Sequence, residues 1–139
     1  MPLLAKRALA LLCAPLLALG MSACAKTVST SGLKGESKKA AETIKALQTD
    51  VTAGDEKKVC KNDFASTLVS KLAPAKGGCQ KVVKDQLTEI DSFEITVDSI
   101  KVDGNTAVAK VTSKYSGKNR LSTLSLVKEG SKWKISALS

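Results

Sequence analysis

The chain contains no histidine. A serine triad, a cysteine–histidine dyad, a paired-histidine zinc helix and a facial-triad iron site all require imidazole, so none can be built here. Aromatic residues are scarce too, with one tryptophan, one tyrosine and two phenylalanines in 139 residues. The lysines (Lys38, Lys57, Lys81, Lys101, Lys118, Lys132) are scattered along the chain, not massed with aromatics as a nucleobase-stacking surface requires. Nucleic acid is therefore not an expected partner. A long apolar run is also missing. The stretch Ala8–Met21 is 14 residues long and includes Pro15, whereas a spanning helix needs about 20 apolar residues.

Specific features begin at the N-terminus. Lys6 and Arg7 precede the apolar stretch, and Leu19-Gly-Met-Ser-Ala-Cys24 closes it. A basic start, a short apolar core and small residues before a cleavage point make an export signal, and with the cysteine the segment resembles a bacterial lipoprotein signal. Small Ser22 and Ala23 fit a narrow peptidase cleft, and the Cys24 thiol can accept a diacylglycerol thioether. Met21 departs from the leucine common at its position. Ala23-Cys24-Ala25 also fits the small-x-small pattern of general secretion, which would release a chain beginning at Lys26. The expectation is a signal peptide over 1–23, a lipidated N-terminus and flexible tether over 24–36, and a domain over 37–139. Acyl groups such as palmitate on Cys24 would hold that domain at the extracytoplasmic side of the cell membrane.

Removal of the first 23 of 139 residues leaves 116, enough for one compact domain. The whole chain carries nine more basic than acidic side chains, and the loss of Lys6 and Arg7 reduces that excess to seven. Attraction to anionic membranes or envelope polymers is one use of such a surface, and simple solvation is another. In an exported chain with Cys24 acylated, Cys60 and Cys79 are left to pair with each other, Cys13 departing with the signal. Lacking Cys-x-x-Cys spacing and histidine, they do not suggest a metal or redox centre, and no cofactor is expected.

Ala25 to Glu36 is rich in Ser, Thr, Gly and Lys, a composition that does not order itself and reads as a tether reaching roughly 20 Å. From Ser37 as N-cap, Ala40, Ala41, Ile44, Leu47 and Val51 recur at helical spacing, with Gly54 as a left-handed stop. Asp55 caps a second helix carrying Cys60, Phe64, Leu68 and Leu72 on one stripe, ended by Pro74. After Lys76-Gly77-Gly78, a third helix aligns Cys79, Val82, Val83, Leu87 and Ile90, leaving Lys76, Lys81 and Lys84 facing solvent. The period then changes to two. Phe93, Ile95 and Val97 alternate, while Ile100 and Val102 have the opposite parity, which places a bulge near Asp98-Ser99. Turns at Asp103-Gly-Asn105, Ser116-Gly-Lys-Asn119 and Glu129-Gly-Ser131 separate strands over Thr106–Tyr115, Arg120–Lys128 and Lys132–Leu138. Three helices before four antiparallel strands argue for an α+β domain, with the helices gathered on one side of a curved sheet.

From Ala40 to Leu138 the chain resembles the nuclear transport factor 2-like superfamily, in the form seen in small secreted or lipid-anchored bacterial proteins. The carrying residues are a helix ending Val51-Thr-Ala-Gly54-Asp55, Lys58-Val59-Cys60 with a distant Gly78-Cys79, and the hairpin Leu126-Val-Lys-Glu-Gly130-Ser-Lys-Trp133-Lys-Ile135. The resemblance implies a cone-like half-barrel around a long first helix, whose open end often holds an apolar ligand. Phe93, Ile95, Tyr115, Leu124 and Trp133 are the candidate lining, although Trp133, one of four aromatic residues in the chain, is better suited to plug the gap between sheet and first helix. The small inward residues Ala107, Ala109, Ser113 and Ala137 fit either close helix approach or an open cavity. Steroid-isomerising relatives use an acid base with phenol or carboxylic-acid donors. Tyr115 has no identifiable acidic partner, and Asp98 and Asp103 fall at a bend and a turn. The expected function is thus non-catalytic binding of a small apolar molecule or an envelope protein. An isomerase or dehydratase using carboxylate and tyrosine, and a basic module for anionic envelope polymers, are the alternatives.

Overall fold

Ala40, Ala41, Ile44, Leu47 and Gln48 form the buried stripe of the first helix, α1 (Gly35–Thr52), and this stripe lies on the inner face of a curved sheet. The structure, a computed structural model, describes residues 28–88, 93–115 and 117–139, with Tyr115 given by its backbone alone. The expected positions Cys24 and Ile90 lie outside these residues. No helix among the described residues is long and apolar enough to cross a membrane.

The sheet is β1 (Glu94–Asp103), β2 (Thr106–Tyr115), β3 (Lys118–Glu129) and β4 (Lys132–Leu138), antiparallel in the order β1-β2-β3-β4. The parity change is a bulge at Asp98, since pairing steps from Val97–Val111 to Ser99–Lys110. A second bulge at Ser136 separates the pairs Leu126–Ile135 and Ser125–Ala137. Bulges sharpen local twist and curl a sheet. Ala107 and Ala109 are buried in the core beneath the helices, and their small size permits close approach of helix to sheet.

Two helix boundaries differ from expectation. α1 starts at Gly35, with Lys34 at the N-cap position and Ser37 already inside the first turn. Glu36 fixes this start because its carboxylate accepts the Trp133 Nε1–H at 2.8 Å and pairs with Lys128 at 2.9 Å. An acid in the first turn also complements the helix dipole. The tether reading is corrected at Val28, which is 3% exposed and part of the core.

The expected second helix is broken. Asp55 caps it as anticipated, accepting the Lys58 N–H at 3.0 Å, but α2 covers just Glu56–Lys58 and passes into a π-helical turn at Val59–Asp63. Phe64 is extended and bridges to Ile135, and the Ala65 N–H donates to the Ile135 carbonyl at 2.8 Å. Pairing with the edge of β4 outweighs helical continuity there. The chain resumes as α3 (Ser66–Leu72) and α4 (Gly78–Leu87). Gly77, at φ +87°, turns between them, and a Cβ there would come within 2.6 Å of Lys81 Cβ.

Candidate functional site

A cavity of about 300 Å³ opens where α1, α3 and α4 meet the start of β1 and the end of β4. Leu47 and Val51 supply the α1 wall, Leu68 and Leu72 the α3 wall, and Val82, Val83 and Leu87 the α4 wall. Phe64, Phe93 and Leu138 close the sheet side, and Gln86 contributes a polar side chain at the margin. The broken helix explains the shape. Phe64 is pulled onto β4, while α3 and α4 fold over it as a separate layer.

Cys60 and Cys79 form the expected disulfide, with Sγ–Sγ 2.03 Å and Cα–Cα 6.1 Å, 19 positions apart. It ties the start of α4 to the π turn and so fixes one cavity wall against the rest of the domain.

Of the five residues expected to line a pocket, the four with described side chains do not converge. Phe93 lines the cavity. Ile95 and Leu124, each 3% exposed, are core residues instead, because α1 closes onto the middle of the sheet, where Gln48 Oε1 accepts the Ile95 N–H at 3.2 Å. The side chain of Tyr115 lies outside the described residues. Trp133 sits toward the other end of α1, also 3% exposed. Its indole N–H is held by Glu36 and its carbonyl accepts the Thr43 hydroxyl at 3.1 Å, so it fills the space between sheet and first helix. Lys128 Nζ lies 5.9 Å from the ring centroid. Hydrogen bonds from Lys39, Lys128 and Trp133 hold the Glu36 carboxyl down to about 2.

Beside Trp133 runs an open polar groove of about 330 Å³, bordered by Lys39, Glu42, Thr43, Asn62, Asp63 and Lys132. Asp63 is the acid that sequence reasoning missed. It is 2% exposed, and its Oδ2 is buried with no donor facing it. Burial first, then the charge of Asp50 and a carboxyl–carboxylate hydrogen bond with Asp50, push the Asp63 carboxyl up to about 7, against the opposing charge of Lys134. Lys134 Nζ is engaged by the carbonyls of Lys61, at 2.9 Å, and of Asn62. The available signal was spacing, since Asp63 follows Cys60 by three and precedes Phe64 on an apolar stripe.

Asp98 and Asp103 are exposed, as their positions at a bend and a turn suggested. Neither an aspartate nor a glutamate is among the residues lining the apolar cavity. No group of three or more potential metal ligands occurs among the described residues.

The family described as "Putative lumazine-binding" matches residues 73–138, from the end of α3 through β4. No curated protein matches. Among solved structures, Rd1NTF2_05, in a form carrying five substitutions, is 17% identical, covering 76% of this chain and 98% of its own, with a TM-score of 0.53. An NTF2-like protein of unknown function from Shewanella baltica OS155 is 15% identical, with 67% and 88% covered and a TM-score of 0.41. A de novo designed protein with a curved β-sheet is 17% identical at a TM-score of 0.38; the match covers 43% of this chain and 57% of the designed one. The fold is α+β and nuclear transport factor 2-like. A fold shared by many chemistries does not assign one.

Proposed function

We propose that this chain is a lipid-anchored, extracytoplasmic binding module that holds a small apolar ligand between α3, α4 and Phe93. The observation that carries this reading is the apolar cavity of about 300 Å³, a size and lining typical of small-molecule sites. The matched family is described by lumazine binding, but a polar heterocycle needs several fixed donors and acceptors. Gln86 is the polar side chain lining this cavity, which favours hydrocarbon. A catalytic role for carboxylate and tyrosine has less support, because the buried Asp63 borders the polar groove and is not among the residues lining the cavity. The anchor rests on the Leu19–Cys24 pattern.

Two measurements test the proposal. The mass of the native protein, intact and after reduction, should show acyl groups on Cys24 and the two-hydrogen deficit of the Cys60–Cys79 bond; a free chain beginning at Lys26 would sink the anchor. For the cavity, N-phenyl-1-naphthylamine, a neutral fluorescent probe, should bind the native protein. Leu72→Trp or Val82→Trp, both at half-buried wall positions, should weaken binding by about tenfold through lost volume. Absence of binding, or equal binding by variants with unchanged melting, would overturn the ligand site.

A further inference from the structure

The start of the described chain, from which an anchor at Cys24 would lead, and the apolar cavity stand at opposite ends of α1. Val28 is buried in the core, so Ala25, Lys26 and Thr27 alone separate Cys24 from the folded domain. Four residue steps reach at most about 14 Å, too short for the domain to hover free of the bilayer. A turn closed by the Leu33 N–H on the Thr30 carbonyl, at 3.2 Å, keeps Val28 near the start of α1. Glu36 in turn binds the start of α1 to Trp133 and Lys128, and the Lys128 N–H donates to the Asn105 carbonyl at 2.8 Å. The β1–β2 and β3–β4 turns therefore share the anchor's end. The cavity is bounded instead by Val51, Phe93 and Leu138, at the other end of α1, whose 18 residues span about 27 Å.

Charge at the anchor end is sorted. Glu36 is taken up by Lys39, Lys128 and Trp133, and Glu129 by Ser66. Lys34, Lys38 and Lys132 are exposed and make no ion pair among the described residues; the exposed acids at this end are Asp103 and Glu42, which lies four residues after Lys38 and borders one groove with Lys132.

We propose that this end is a membrane-docking face: Lys34, Lys38 and Lys132 rest on anionic lipid headgroups, and the cavity opens away from the bilayer, so that ligand enters from the aqueous side. The inference rests on the anchor reading above. Basic side chains held at an anionic leaflet by a short tether add electrostatic attachment to acyl insertion.

The native protein is bound to phosphatidylcholine vesicles containing about a quarter phosphatidylglycerol, acetylated with limiting acetic anhydride, and digested for mass spectrometry beside a sample in neutral detergent micelles. Lys34, Lys38 and Lys132 should react about fivefold more slowly on vesicles than in micelles, with Lys84 and Lys118 unchanged. Equal change at all five lysines, or protection at Lys84 and Lys118, overturns the orientation. Protection by a soluble polyanion but not by vesicles overturns it in favour of an anionic polymer partner. Intact mass separates the two readings: an unacylated Cys24 removes the anchor and this face together, whereas an acylated protein labelled uniformly removes this face alone.

Discussion

Replacing Cys60 and Cys79 together by serine should cost about 3 kcal/mol of stability and lower the melting temperature by roughly 15 °C. The bridge closes a loop 19 positions long, and the constraint acts mainly by removing freedom from the unfolded chain. Its local effect should exceed its global one. Among the described residues α4 packs on α2, α3 and the π turn, presenting one buried valine, Val83, besides the cystine itself. With so little apolar surface to hold it, α4 should be the first element to open once the bridge is gone. Amide exchange over 81–88 should accelerate well beyond that of β2 and β3, read by hydrogen-exchange mass spectrometry. The apolar probe should weaken in parallel, because Val82, Val83 and Leu87 form one wall of its cavity. A double variant that melts like the native protein and keeps its α4 exchange protected would show that packing, not the bridge, sets the position of this helix.

The sheet was legible because its signals are local. Phe93, Ile95 and Val97 announce one face, Ile100 and Val102 the same face after a slip, and the slip is the bulge at Asp98. Glycine-containing turns mark the strand boundaries, and two strands begin and end where the alternation does. The broken helix was not legible, because Cys60, Phe64, Leu68 and Leu72 keep a four-residue spacing whether or not the chain straightens between them. The straightening is imposed by Ile135, 71 positions beyond Phe64 in the chain.

Val28 failed for a related reason. Composition over Ala25–Glu36 gives the average behaviour of a polar segment, whereas the burial of one valine depends on core space made by distant residues. The cavity was half legible. Its apolar residues were identified on their helices, but how far α3 and α4 stand from the sheet follows from the kink at Phe64 and the glycine turn at Gly77. Those set the position of the layer, not its polarity. Hence Phe93 lies beside the cavity, while Ile95 and Leu124, equally apolar and inward, are buried in the core.

Asp63→Asn should stabilise the protein above neutrality, by about 2 kcal/mol at pH 8. The Asp63 carboxyl titrates at about 7 in the fold and near 3.9 in an unfolded chain. Between those values the native state holds a proton that the unfolded state has released, so this group's contribution is fully present below about pH 4 and is lost as pH rises through about 7. The full separation corresponds to roughly 4 kcal/mol, which relaxation and water in the adjoining groove reduce by about half. Glu36, Asp55 and Glu129 act in the opposite sense. Their carboxyls are held below the usual range by Lys39, by the Lys58 amide and by Ser66 respectively, so Glu36 adds stability as pH rises from about 2 to about 4.5, Asp55 and Glu129 add it in the same direction below the usual carboxylate range, and the slope above that is left to Asp63. An amide at position 63 is neutral at every pH and can donate a hydrogen to Asp50, the role that the acid proton fills below neutrality. Urea unfolding at pH 5 and pH 8 reads both quantities. The native protein should lose about 1 kcal/mol between them and Asp63→Asn almost none. A variant less stable than the native protein at pH 8 would mean that the ionised carboxylate is satisfied, with Lys134 released from the Lys61 and Asn62 carbonyls to pair with it.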